Sequence, residues 1–248
     1  MELVRGLHNL RPRHRGCAAT IGNFDGVHLG HQSVLGQLAE RAAELQVPVT
    51  VIMFEPQPRE YFAPETAPPR LTRFREKIEA LRRFGVDRIV CLQFDRRLAG
   101  MAPETFVRQI LLDGLDVKYL VVGDDFRFGR ERAGTFAMLE QAGDEYGFPV
   151  VNMHTFGIEG SRVSSTRIRE ALAAGDLAAA EALLGRQFRM SGRVAHGDKR
   201  GRQIGFPTAN IHLHRTATPV SGVFAVELFG VPHDPRAGIA DVGTRPAV

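Results

Sequence analysis

The chain has 248 residues, 44% of them hydrophobic and 24% charged, with a formal net charge of +4. This is the composition of a globular protein large enough to bury a core without disulfide or metal staples. No stretch approaches the ~18 consecutive apolar residues of a membrane helix, and Met1-Glu2-Leu3-Val4-Arg5 lacks an apolar signal core, so no membrane partner and a cytoplasmic location are expected.

The first part of the chain alternates short apolar runs with helical patterns. Cys17–Ile21, Val47–Phe54, Arg88–Phe94, Tyr119–Gly123 and Val150–His154 read as buried strands, because they are short, rich in β-branched residues and bounded by Gly, Pro or Asp. Between them Leu35, Leu38, Ala42 and Leu45 keep helical spacing, as do Ile78 with Leu81 and Phe106 with Ile110, and Pro103 stands where a helix starts. Strand–helix alternation predicts an α/β fold, a Rossmann-like parallel sheet covered by helices, with ligands beyond the carboxyl ends of its strands. Two Ala- and Leu-rich helices follow, about Ser165–Ala174 and Leu177–Leu184. From Phe188 onward glycines and short alternating segments such as Gly222–Phe229 predict a small antiparallel β domain, barrel-like in character. The domains are expected at 1–186 and 187–248.

Charge follows the same division: 23 Lys+Arg face 24 Asp+Glu up to Gly185, and 9 face 4 from Arg186 onward. A basic tail suits nucleotide phosphates. No RNA-binding signature or basic–aromatic stripe accompanies it, so no nucleic-acid partner is expected. Cys17 and Cys91 lie far apart in apolar runs without CxxC or Cys/His spacing, which predicts two buried, inert thiols and no zinc site.

Two segments carry phosphate chemistry. Gly22-Asn23-Phe24-Asp25-Gly26-Val27-His28-Leu29-Gly30-His31 follows the first of these strands and opens the first helix. Glycines there let a ligand approach the backbone, and the helix N-terminus offers unpaired N–H groups to an anion. His28 and His31, three apart, project from one side of the first turn, where imidazoles can donate to phosphate oxygens. In Val163-Ser164-Ser165-Thr166-Arg167-Ile168-Arg169, either Ser164 or Ser165 caps a helix. Ser165, Thr166 and Arg169 share one face of it, and hydroxyls beside a guanidinium fork make a phosphate clamp.

Together these stretches resemble the HxGH nucleotidyltransferase superfamily, and within it the prokaryotic bifunctional FAD synthetases (riboflavin kinase/FMN adenylyltransferase). Phe54-Glu55-Pro56-Gln57-Pro58, Val121-Val122-Gly123-Asp124-Asp125-Phe126-Arg127-Phe128-Gly129 and Gly205-Phe206-Pro207-Thr208-Ala209-Asn210 extend the resemblance over nearly the whole chain. The resemblance implies transfer of AMP from ATP to FMN, with Mg²⁺ assisting and ATP, FMN and riboflavin as the small-molecule partners. It assigns His28 and His31 to the ATP phosphates, with Ser165 and Arg169 completing the clamp and the Gly22–Asp25 backbone cradling the nucleotide. Phe54, Pro56, Pro58 and Phe62 are implied to form an apolar wall for the flavin, flanked by Asp125 and Phe128. Gln57 stands where many relatives carry His. In the tail, Gly197, Lys199, Gly201 and Gly205 are implied to form the ATP loop of the kinase, with Thr208 and Asn210 as oxygen ligands of Mg²⁺. The run Gly238 to Val248 resembles only the middle of the kinase module, with Asp241 where relatives commonly have Asn. A truncated kinase, inactive in this chain, is therefore expected.

Overall fold

The computed structural model describes residues 1–123, 125–153, 157–158, 161–195, 208–230 and 235–243. The chain forms two compact units, one of residues 1–68 and 77–163, the other of residues 69–76 and 164–248.

In the first unit six strands form one parallel sheet: β1 (Glu2–Arg5), β2 (Cys17–Ile21), β3 (Val49–Glu55), β4 (Arg88–Gln93), β5 (Val117–Gly123) and β6 (Val150–Met153), in spatial order β1-β4-β3-β2-β5-β6. All five residues of β2 are buried, which is why its sequence is continuously small and apolar rather than alternating. From β2 the chain steps outward through β3 and β4, then crosses back to β5 on the other side of β2. The order reverses between β2 and β5, so the loops leaving these two strands flank a topological switch point, the place where open α/β sheets bind ligands.

The helices follow the expected patterns with three corrections. Helix α1 (Leu29–Leu45) buries Leu35, Leu38 and Ala42, whereas Leu45, expected on the same face, is exposed in the last turn before Gln46, whose φ of 55° ends the helix. A short α2 (Pro58–Phe62) follows β3. On α3 (Phe74–Arg83) the buried side is Lys77, Ala80 and Leu81, whereas Ile78, expected on that face, is only half-buried. After β4 come α4 (Arg96–Ala99) and α5 (Pro103–Phe106). Phe106 and Ile110 are buried as expected, but Val107–Gly114 winds as a π-helix. A Cβ on Gly114 would lie 2.8 Å from the Gln109 carbonyl oxygen, so only glycine fits that wide turn. Helix α6 (Phe136–Tyr146) is capped by Thr135, whose hydroxyl accepts from the Met138 N–H, and leads into β6.

At the sheet edge, β1 is pinned by a polar cluster. The Glu2 carboxylate accepts from Arg13 at 2.9 Å and from Arg88 at 3.4 Å and lies 3.1 Å from His14 Nε2. The buried His14 accepts the Arg11 N–H at its Nδ1, so its proton sits on Nε2 and points at Glu2. These contacts hold the Glu2 carboxyl down at about 2, Arg13 contributing most. Cys17 and Cys91 are buried thiols outside any disulfide, and burial pushes the Cys17 thiol up to about 11. A two-stranded pair, β7 (Gly157–Ile158) and β8 (Ser161–Arg162), closes this unit.

The second unit contains α7 (Ser165–Ala173) and α8 (Leu177–Leu184), then β9 (Arg193–Ala195) paired antiparallel with β10 (Asn210–His212), and β11 (Gly222–Leu228) with β12 (Arg236–Val242). The β11–β12 ribbon leaves Val223 and Ile239 largely in water. Glu76 is a hub of this unit. Its carboxylate accepts the Arg73 N–H at 2.7 Å, the Ser191 N–H at 2.7 Å and the Ser191 hydroxyl at 2.8 Å, and it pairs with Arg215 at 2.6 Å. The antiparallel pairing agrees with a small β domain at the C-terminal end.

Candidate nucleotide-binding site

The segment Gly22 to His28 leaves β2 and turns into α1 under backbone strain. Phe24, Gly26 and Val27 have φ of 48°, 85° and 44°. Two of the three are not glycine, so packing has to hold the conformation. Phe24 and Val27 supply that packing, being buried at 2% and 0% exposure, and Gln32 donates its side-chain N–H to the Val27 carbonyl at 2.9 Å. Asp25 is buried too, and Asn23 is exposed.

His28 is the N-cap of α1: its Nδ1 accepts the His31 N–H at 3.4 Å. The imidazole proton of His28 therefore sits on Nε2, as a donor. The two imidazoles stack with centroids 3.7 Å apart and planes 21° apart, and Phe24 packs 4.9 Å from the His31 ring. Gly30 makes room for this pair, since a Cβ there would meet His28 Cε1 and Nδ1 at 3.2 Å. Burial, and then the charges of His28 and Lys77, drive the His31 pKa well below its ordinary value. His31 Nδ1 is a buried atom without a hydrogen-bond partner. Imidazole N–H groups at a helix N-terminus can donate to an anion.

The residues expected at the flavin wall fall into two groups. Phe54 and Phe128 are built into the hydrophobic core, Phe128 tilted against Phe106 with ring centres 5.2 Å apart and stacking 5.7 Å from the half-buried Phe126. Phe62 is 66% exposed on α2, Pro56 is exposed and Pro58 half-buried. Phe62, Tyr61 and Phe54 surround Phe94, at 5.6, 5.4 and 5.8 Å between ring centres. Phe94 and Tyr61 were not singled out in the sequence, although Phe94 sits just past β4, on the ligand-facing end of a parallel strand. Gln57 is buried at the N-cap of α2. Its backbone N–H donates to the Glu60 carboxylate at 2.8 Å, and its Nε2 is buried without a partner. Asp125 is exposed and pairs with Arg162 at 3.1 Å.

In the second unit Ser164, rather than Ser165, caps α7, accepting the Arg167 N–H at 3.3 Å. Ser165 and Arg169 are half-buried and Thr166 is exposed. Arg169 donates its Nε to the Pro69 carbonyl at 2.7 Å, which fixes the plane of the guanidinium. Thr208 is exposed, and Asn210 begins β10 opposite Ala195. Gly197, Lys199, Gly201 and Gly205 lie outside the described residues. Among the described residues no group of three or more His, Cys, Asp or Glu is placed to hold a metal ion, and no helix is long and apolar enough to cross a membrane.

A parallel sheet with a histidine-bearing helix N-terminus at its switch point defines an α/β nucleotide-binding protein. Residues 10–167 match the FAD synthetase family and residues 184–248 the riboflavin kinase family. The chain belongs to the FAD synthetase family. It is 52% identical over 249 residues to the bifunctional riboflavin kinase/FMN adenylyltransferase of Escherichia coli, all of this chain aligning with 80% of that one. The enzyme of the same description from Pseudomonas fluorescens is 54% identical, again over all of this chain and 79% of its own length. Among solved structures, one described as a macrolide-efflux protein from Streptococcus pneumoniae superposes with a TM-score of 0.84 at 28% identity, over 99% of this chain and 80% of that one.

Proposed function

We propose that this chain makes FAD, transferring AMP from ATP to FMN and releasing pyrophosphate. The observation that carries the reading is the stacked His28–His31 pair at the N-terminus of α1, with His28 Nε2 left as a donor, in a chain of this family. In the reaction a phosphate oxygen of FMN attacks the α-phosphorus of ATP in line. The bond from that phosphorus to the bridging oxygen breaks, and pyrophosphate leaves with the electron pair. No covalent enzyme intermediate is needed, so catalysis consists of positioning and charge stabilisation. His28 Nε2 donates to the triphosphate, and the Gly22–Asp25 backbone follows the nucleotide. The half-buried Arg169 contributes a bidentate fork and Ser165 its hydroxyl. On the acceptor side, the exposed Phe62, with Pro56 and Pro58, takes the flat isoalloxazine ring, while Phe54 and Phe128 support that surface from the core. Mg²⁺ accompanies ATP and neutralises phosphate charge.

The family matches support a division near residue 186, with residues 187–248 a riboflavin kinase module. There Thr208 and Asn210 offer the hard oxygens that Mg²⁺ prefers. The test is direct: purified chain with ATP, Mg²⁺ and FMN, followed by chromatography for FAD and an enzymatic measurement of pyrophosphate. Equimolar FAD and pyrophosphate are expected. ATP consumption without FAD would refute the reading.

A further inference from the structure

We propose that Phe94 is a positioning residue for the flavin, the ring that holds Tyr61 and Phe62 of α2 in place as one aromatic surface. The inference rests on the reading of the flavin wall as the acceptor site.

The geometry converges on one side chain. Phe94 directly follows β4, past the carboxyl end of a parallel strand, where open α/β sheets take their ligands. Its backbone N–H donates to the Glu55 carbonyl at the end of β3 at 3.1 Å, and its half-buried ring packs against the hydrophobic core. Three rings meet it nearly at right angles: Phe54 from the core at 82°, and Tyr61 and Phe62 from α2 at 72° and 75°. Tyr61 and Phe62 also meet each other, with ring centres 5.2 Å apart and planes at 80°. Edge-to-face pairs at such separations are a favoured arrangement of aromatic rings. Phe62 thus has two perpendicular neighbours, and together they fix the plane of its ring.

Helix α2 could not supply this mount alone. Its five residues are too few to persist as a helix in water, so the directions of Tyr61 and Phe62 depend on what they rest against. Of the rings around Phe94, Phe54 is buried, whereas Tyr61 and Phe62 stay 37% and 66% exposed. A cluster assembled for stability alone has no reason to keep two neighbouring rings in water. A contiguous exposed apolar surface at the ligand-facing end of the strands marks a binding surface. Its counterpart is a flat aromatic body, and the isoalloxazine ring is one that stacks on an aromatic face while its polar edges stay available for hydrogen bonds. A ring fixed in advance loses little freedom when the ligand arrives, so Phe94 contributes to FMN affinity without touching FMN.

The experiment measures steady-state FAD synthesis, with FMN and ATP varied separately, in Phe94→Leu, Phe62→Leu and the double variant. Phe94→Leu keeps an apolar side chain and removes the ring. It is expected to raise the KM for FMN about three- to tenfold, the worth of one lost aromatic pair, and to leave kcat and the KM for ATP within about twofold. Phe94→Tyr, which keeps the ring, should hold the KM for FMN near its native value. The double variant should fall well short of the product of the two single effects, because Phe94 acts largely through Phe62. An unchanged KM for FMN in Phe94→Leu beside a raised one in Phe62→Leu, single effects that multiply, or equal increases in both KM values would overturn the proposal. Should Phe94→Leu fail to fold, the native protein labelled in the rings of Tyr61, Tyr119 and Tyr146, its three tyrosines, decides. FMN is expected to move the Tyr61 signal and ATP to leave it in place, and a Tyr61 signal indifferent to FMN overturns the proposal. An unchanged KM for FMN in Phe62→Leu would instead overturn the reading of the wall itself.

Discussion

Consider Gly30→Ala. The added Cβ lies 3.2 Å from Cε1 and Nδ1 of His28 and 3.6 Å from the Val163 carbonyl oxygen. Comfortable contacts are about 3.5–4.0 Å, so the imidazole must retreat by a few tenths of an ångström. It has little room to do so, being 6% exposed and stacked 3.7 Å from His31. Helix propensity acts in the opposite direction, since Gly→Ala at a compatible position stabilises by about 0.4–1 kcal/mol. Misplacing a reacting group by 1 Å costs about 10²-fold in rate, so a few tenths should cost about three- to tenfold. The variant is therefore expected to melt at or slightly above the native temperature while making FAD three- to tenfold more slowly. Initial rates at saturating ATP and FMN, beside a thermal melt, measure both quantities. An unchanged rate would mean that the position of His28 is not what limits turnover. A slow variant that also melts early would mean that the clash is absorbed by the backbone.

Arg169→Lys should lower the rate of FAD formation at least about tenfold, because a point charge does not replace a planar fork, while Arg167→Lys should change it little. Equal losses in the two variants would refute the assignment of the helix face. Glu2 has a folded-state pKa depressed to about 2, so its contribution to stability is present above about pH 4.5 and is lost as pH falls from there through 2. Glu2→Gln should thus be less stable than the native chain at neutral pH, and the two should converge near pH 2 in acid titrations followed by circular dichroism. The gap should be small, since Glu2 and Arg13 are both well exposed. Arg215→Met strands the Glu76 carboxylate, whose partner guanidinium is only 3% exposed, and should destabilise the second unit by about 3 kcal/mol in urea titrations. Adding Glu76→Gln to it should recover part of that loss.

The sheet was legible because buried parallel strands are continuous apolar runs, and all five of the strands expected in the first part appear within two or three residues of their expected limits. The edge strand β1 was not, since four residues with Glu2 and Arg5 at its ends carry no such signal. Lys77 escaped notice for a related reason. Lying among Arg75, Glu76 and Glu79 it reads as solvated charge, and only tertiary packing turns that side of α3 inward. The histidine loop was recognisable from residue types alone, but its left-handed backbone at Phe24 and Val27 was not, because neither residue favours that conformation. Phe54 and Phe128 illustrate the converse difficulty: a ring next to a site and a ring in the core look identical in sequence.

That left-handed backbone also bears on how the site could be moved or rebuilt. Phe24 and Val27 hold φ values of 48° and 44° with their side chains buried at 2% and 0% exposure. The ten-residue motif therefore carries only half of its own geometry, and the packing that buries these two side chains carries the rest. Transplanting Gly22–His31 alone onto another parallel-sheet scaffold would let those two residues relax to ordinary φ, and the imidazoles would lose their stacking. A successful graft must bring the cavities that receive Phe24 and Val27, which makes the portable unit a patch of core rather than a stretch of sequence.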